Sequence, residues 1–168
     1  MRAGRGRSPQ TDMSAADVVA ILDRLEAAGL TVWVDGGWAI DAVAGRETRV
    51  HDDLDLVARL AEVPALEREL AGLGYTRAGG APPMSFESVD PAGRQVDVHP
   101  IAADGAYAMR DGGTWHYPLE GLRGRGTIGG RTVRCLTVEA QLLCRTGYDP
   151  VDPDRHARDV ALLESLRG

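Results

Sequence analysis

The residues of this sequence best suited to chemistry are acidic and crowded. In "WVDGGWAIDAVAGRETRVHDDLDL", residues 33–56, a Gly36-Gly37 pair is followed by Asp52, Asp53 and Asp55. A further carboxylate, Asp97, stands in "RQVDVHPI" between similar apolar neighbours. Side chains alternate faces along a strand. In "HDDLDLVA" that puts His51, Asp53 and Asp55 on one face and Asp52, Leu54 and Leu56 on the other. The leucines seek the core, so Asp53 and Asp55 point away from it and Asp52 is a poor candidate ligand. In the second run Gln95, Asp97 and His99 oppose Val96 and Val98. If the two strands are neighbours, Asp53, Asp55 and Asp97 converge. Converging carboxylates repel unless a cation sits between them, and hard oxygen ligands suit Mg²⁺ or Mn²⁺. Two such ions about 3.5–4 Å apart can clamp the oxygens of a transferring phosphoryl group. A carboxylate left partly free of metal can take the proton of an acceptor hydroxyl, and Asp97, on its separate strand, is the candidate.

The glycine pair fits the same chemistry. It follows a strand and precedes a short helix. Glycines let backbone approach a phosphate closely, and a helix N-terminus adds free N–H groups. Arg46 and Arg49 lie between that helix and the acidic strand, and either can meet triphosphate oxygens with two parallel hydrogen bonds.

The elements that must position these residues can be read from periodicity and caps. "SAADVVAILDRLEAAG" predicts a helix, with Ser14 as N-cap, Asp17 three residues on, and Val18, Leu22 and Leu25 on one face. "LTVWVD" reads as a strand, "WAIDAVAG" as a short helix closed by Gly45, and "HDDLDLVA" as a strand. "VPALERELAGLG" predicts a second amphipathic helix with Leu66, Leu70 and Leu73 on one face. "MSFESVD" and "RQVDVHPI" form a hairpin about a Pro-Gly turn, and "GTIGGRTVRCL" forms another about Gly129-Gly130. Helices begun by Thr137 and by Asp152 or Asp154 close the chain. Residues 103–126 give no clear pattern. The order implies an α+β fold, a mixed β-sheet with helices packed against one face. Residues 1–12 are expected to form a flexible basic arm, and residues 13–168 a single domain.

Composition excludes several classes. All 19 Lys and Arg residues are Arg, so a lysine nucleophile or Schiff base is ruled out. The net charge of −6 argues against broad nucleic-acid binding. No apolar run approaches the ~20 residues of a membrane helix, so no membrane partner is expected. Cys135 and Cys144 have no metal-like spacing and read as reduced, buried residues of a cytoplasmic protein.

The motif "DGGWAIDAVAGRETRVHDDLDL" resembles the signature of the nucleotidyltransferase superfamily that includes DNA polymerase beta. Its Gly-Gly, Asp-x-Asp and later Asp correspond to Gly36-Gly37, Asp53-x-Asp55 and Asp97. Together with "DVHPI" and "EAQLLCRTGYD", it is most similar to the lincosamide nucleotidyltransferases, over about residues 15–165. The resemblance implies a polymerase beta-like fold. It implies transfer of a nucleoside monophosphate, AMP from ATP or another NTP, to a hydroxyl of a lincosamide such as lincomycin or clindamycin, with release of pyrophosphate. Asp53 and Asp55 would then bind two Mg²⁺ ions, Asp97 would act as base or metal ligand, and Gly36, Gly37 and Arg49 would contact phosphates. With no lysine in the chain, Arg46 stands in for any lysine contact. His99, Trp115, Tyr117 and Phe86 are candidates for the acceptor pocket. An aminoglycoside acceptor is the alternative, with Glu87, Asp90, Asp104, Asp111 and Glu120 as its acidic wall. A non-catalytic nucleotide- or metal-binding protein is the other. The chain is small for a site that binds both NTP and drug, which raises a homodimer sharing its cleft.

Overall fold

Ser14 starts the first helix, α1 (Ala15–Ala27), through a reciprocal capping box with Asp17. Its apolar stripe, Val18, Ile21, Leu22 and Leu25, is buried as the spacing predicts. This computed structural model describes residues 11–168, so most of the expected basic arm lies outside the described residues. At the arm's C-terminal end, Thr11 donates its N–H to Gly93 O at 3.2 Å and Met13 donates to His51 O at 2.9 Å. Met13 is a core residue.

Strand β1 (Val32–Asp35) runs directly into helix α2 (Gly36–Ala44). The helix includes both glycines, because Asp35 caps it by accepting the Gly36 N–H at 2.7 Å. Gly45, at φ 72°, ends it in the left-handed conformation that favours glycine. Strand β2 (Asp53–Arg59) and helix α3 (Val63–Gly72) follow, then β3 (Thr76–Gly80), β4 (Phe86–Val89) and β5 (Gln95–Ile101). Two hairpins come next, β6 (Ala106–Ala108) with β7 (Thr114–His116), and β8 (Arg125–Ile128) with β9 (Arg131–Arg134). Helices α4 (Val138–Cys144), capped by Thr137, and α5 (Pro153–Ser165), capped by Asp152, close the chain.

The main sheet has the order β1-β2-β5-β4-β3. Only β2 and β5 run parallel, so the sheet is mixed, as expected. One face carries Val34, Leu54, Leu56, Phe86, Val96 and Val98 into a core with α1, α2 and α3. The expectation that helices cover one face alone does not hold. On the opposite face Trp33, Val57 and Ile101 form a second core with Tyr117, Leu136 and Ala140 of α4. That cover spans the end of the sheet away from Asp53. The other end of the same face carries the aspartates. Among the described residues, no helix is long and apolar enough to cross a membrane.

Candidate active site

Register brings the acids together. Asp35 on β1 lies opposite Asp55 on β2, Asp55 opposite Asp97 on β5, and Asp97 opposite Glu87 on β4. Four carboxylates therefore stand in a row across four adjacent strands, on a face whose strands are spaced about 4.8 Å apart. Asp53 sits two residues before Asp55 on the same face, opposite Gln95. Sequence alternation pointed to Asp53, Asp55 and Asp97 as one group, and the parallel β2–β5 pair brings them together.

Each acid is held by a particular neighbour. His99 Nε2 is 3.0 Å from Asp55 Oδ1. The Gln95 amide donates to Asp97 Oδ1 at 2.7 Å. The Tyr117 hydroxyl donates to Asp35 Oδ2 at 3.3 Å, opposite the Gly36 N–H on the other oxygen. Asp53 and Asp97 are hydrogen-bonded to each other. Burial first, then the charges of Asp55 and Asp97, push the Asp53 carboxyl up to about 8. Burial and Asp55 likewise raise Asp97, and burial raises Asp35. Burial alone would lower the His99 ring, but its bond to Asp55 and the fields of Asp35 and Asp97 outweigh that and lift it to about 9. Crowding and burial thus favour the protonated forms of Asp53 and Asp97, and the surrounding carboxylates favour the charged form of His99.

The donor set is all carboxylate oxygen, the chemistry hard divalent cations prefer. Among the described residues, no three His, Cys, Asp or Glu side chains already form a metal cage. His99 engages one oxygen of Asp55, and a carboxylate keeps further lone pairs for a metal. The residues fit a divalent ion by chemistry and by mutual strain of charge.

The first turn of α2 abuts the same acids. Gly36 adopts φ +61°, and a Cβ there would lie 2.2 Å from Asp55 Oδ2. A Cβ at Gly37 would lie 2.5 Å from Arg49 Nη2 and 2.6 Å from His51 Nδ1. Only glycine fits at either position. His51 does not extend the acidic face, because it precedes β2. Its ring turns towards α2, 2.5 Å from Asp41 Oδ2, and packs on Trp38 at 4.4 Å between centroids. Asp41 also accepts the Thr48 N–H at 3.1 Å, so this buried group locks the α2–β2 connection.

A cavity of about 780 Å³ opens over Asp35, Asp53 and Asp55, with Asp97 outside its lining. Asp35, Gly36, Gly37, Arg49, Asp53, Asp55 and His99 form one side. Arg145 and Tyr148 after α4, and Asp152, Arg155, His156 and Asp159 of α5, form the other. Its volume suits a small-molecule ligand.

Several expectations change. Asp52, assigned to the leucine side, lines this cavity, because it lies in a bend before β2 where alternation does not yet hold. Arg46 is exposed and lies beside Trp38, Thr127 and Gly129-Gly130, away from the acids. Phe86 is fully buried on the opposite face of the sheet. Trp115 packs edge-on against Tyr117 in the second core, so this pair supports Asp35 and does not line the cavity. His99 does line it. Asp35, Arg145, Arg155, His156 and Asp159 also line the cavity, and Gln95, expected on the face of Asp97, holds that carboxylate. Asp35 was hidden in the role of a cap. The residues of α5 carried a legible signal: 152, 155, 156 and 159 share one helical face.

An Asp-x-Asp strand beside a strand with a third Asp, next to a glycine-opened helix, defines a nucleotidyltransferase-fold protein. A crystal structure of a lincomycin-bound lincosamide antibiotic adenylyltransferase has the same fold, with a TM-score of 0.79, 27% identity, and coverage of 94% of this chain and 100% of that one. Residues 17–161 match the aminoglycoside-2''-adenylyltransferase family, and the chain belongs to that family. It is 28% identical to a lincosamide resistance protein of Staphylococcus haemolyticus, over 92% of this chain and 97% of the relative. It is 34% identical to a 2''-aminoglycoside nucleotidyltransferase of Escherichia coli, over 84% of this chain and 81% of the relative.

Proposed function

We propose that the chain is an antibiotic nucleotidyltransferase that moves AMP from ATP to a hydroxyl of a lincosamide such as lincomycin or clindamycin, releasing pyrophosphate. The observation that carries this reading is that the parallel β2–β5 pair brings Asp53, Asp55 and Asp97 to one face, beside an α2 N-terminus that admits no side chain at Gly36 or Gly37. Asp53, Asp55 and Asp97 would hold two Mg²⁺ ions, or Mn²⁺. When bound, such ions neutralise phosphate charge and orient the α-phosphorus for in-line attack.

The chain's own groups do the rest. Free N–H groups of the α2 first turn and the Arg49 guanidinium bind phosphate oxygens. Gln95 fixes one oxygen of Asp97, and Asp97, once released from Asp53, draws the proton from the acceptor hydroxyl. Tyr117, its phenol kept protonated by burial, holds Asp35 under the helix N-terminus. Catalysis of this kind is mostly positioning and electrostatics.

An aminoglycoside is the competing acceptor, favoured by the family match. Such a polycation needs spare negative charge. Glu87, Asp90, Asp104, Asp111 and Glu120 are not among the residues lining the main cavity. Asp90 is bound by Arg94 at 2.6 Å. Within the cavity, Asp159 faces Arg49 at 3.5 Å and Asp52 faces Arg155 at 3.6 Å. Glu87 stands opposite Asp97 with Arg110 4.0 Å away, and the lincosamide reading rests on the likeness to the lincomycin-bound adenylyltransferase. Pyrophosphate release with ATP and Mg²⁺ tests it: turnover with lincomycin is expected, and turnover with tobramycin or kanamycin alone would contradict it. Two free cysteines fit a cytoplasmic enzyme. A homodimer sharing the cleft is checked by sedimentation, where a single monomeric species would contradict it.

A further inference from the structure

The cavity wall opposite the acids is built in a way that packing does not require. Helix α5 and its cap Asp152 bring Arg155, His156, Asp159 and Asp152 to the cavity lining. A helix packed on a protein body normally turns an apolar stripe inward. Here the only buried residue of α5 is Leu163, near its C-terminal end. Val160 and Leu162 beside it are half-buried, but the half-buried residues of the first turns, Arg155, His156 and Asp159, are polar, and Arg155 and Asp159 meet the body through ion pairs.

Those pairs are long. Arg155 lies 3.6 Å from both Asp52 and Asp152, and Arg49 lies 3.5 Å from Asp159. Contacts of this length at partly exposed sites are weak and easily exchanged. Arg145 adds a third guanidinium to the same cavity, tethered by one bond to its own helix at Gln141 O, 3.0 Å. The cavity therefore brings three guanidinium groups to face the glycine-opened turn of α2. One, Arg49, sits directly over that turn. Guanidinium groups in loose partnership, facing a helix N-terminus, are suited to a polyanion that offers several oxygens at once.

We propose that Arg145 and Arg155 bind the β- and γ-phosphates of the nucleotide, the part that leaves as pyrophosphate, and that Arg155 exchanges Asp52 and Asp152 for phosphate oxygens when it does so. This rests on the nucleotidyltransferase reading above and assigns the C-terminal segment to the nucleotide. It gives α5 a role as a wall that the triphosphate draws against α2. Arg49 and Arg155, from opposite sides of the cavity, then bridge through the ligand.

The test is equilibrium binding of ATP and of AMP to the full chain with Mg²⁺, together with steady-state KM for both substrates. Arg155→Ala is expected to weaken ATP binding tenfold or more and to leave AMP binding and the acceptor KM within about twofold. Arg155→Lys, which keeps charge but loses the paired hydrogen bonds, is expected to fall between. Arg145→Ala should follow the same ATP-over-AMP pattern, which gives a second handle if Arg155→Ala folds poorly. Equal losses for ATP and AMP would overturn the proposal, since they place these residues away from the β- and γ-phosphates. A raised acceptor KM with ATP binding unchanged would also overturn it, by assigning the wall to the antibiotic. If the unaltered chain binds ATP and both alanine variants bind it equally well, the proposal fails and the wider reading stands. If the unaltered chain binds no ATP, both fail.

Discussion

Asp53 carries the clearest conflict between stability and function. Unfolded, its carboxyl titrates near 3.8, and folded it is raised to about 8. Between those values the folded state holds the extra proton, so the metal-free protein loses stability from this site as pH rises. His99 acts in the same direction: lifted from 6.5 to about 9, it contributes stability below 6.5 that is lost as pH rises towards 9. Two outcomes follow. Asp53→Asn should raise the metal-free melting temperature at pH 8 by ~2–4 °C, the effect of about 1 kcal/mol in a chain of this length, and abolish turnover. The melting shift given by Mg²⁺ should be larger at pH 8.5 than at pH 6, because at low pH the cation competes with bound protons. Scanning calorimetry across that range measures both. Gln95→Leu tests how Asp97 is held: loss of its amide should lower kcat more than it raises the KM for ATP. Of these residues, Asp53, Asp55 and Asp97 were legible because alternation against leucine and valine fixes their face. Asp35 was not, because its partner Tyr117 is distant in sequence, and Gln95, though placed on the face of Asp97, carries no charge to mark it as part of the site.

Among the elements, α2 shows how tightly backbone and site are joined. Gly36→Ala combines a positive φ with a Cβ that would lie 2.2 Å from Asp55 Oδ2. It should destabilise the fold by at least about 1 kcal/mol and cut ATP binding further than stability alone explains, as thermal melts and binding assays together will show. Its helix was legible from "WAIDAVAG" and the closing Gly45, yet it starts earlier because Asp35 caps it. Strand β3 gave no signal. "TRAGG" has no apolar alternation, and the strand pairs on one side only, with β4. The β6–β7 hairpin was hidden for a similar reason: its strands are three residues each and lack a fully buried position. What made α5 informative was the polar inward face of its first turns, a pattern that reads as solvated until the cavity beneath it is seen.

At the scale of the whole molecule, one sheet serves two cores and a site. The face packed on α1, α2 and α3 supplies most of the apolar core, and the other face is divided between a smaller core and the acids. Helix α5 depends on Leu163, which is fully buried. Leu163→Ala should cost ~2–5 kcal/mol and loosen the wall that carries Arg155 and Asp159, raising the KM for ATP. The mixed sheet was legible from the order of elements. Its second core was not, because Trp33, Tyr117 and Ala140 come from separate parts of the chain and only the folded topology joins them. The central claim is that these parts together transfer a nucleotide to an antibiotic hydroxyl. Mass spectrometry of lincomycin after incubation with the chain, ATP and Mg²⁺ tests it most directly. The account predicts product heavier by one adenosine monophosphate, absent with Asp53→Ala and Asp55→Ala. Lincomycin left unmodified by a chain that melts at higher temperature with Mg-ATP would contradict it, as would full transfer by either variant.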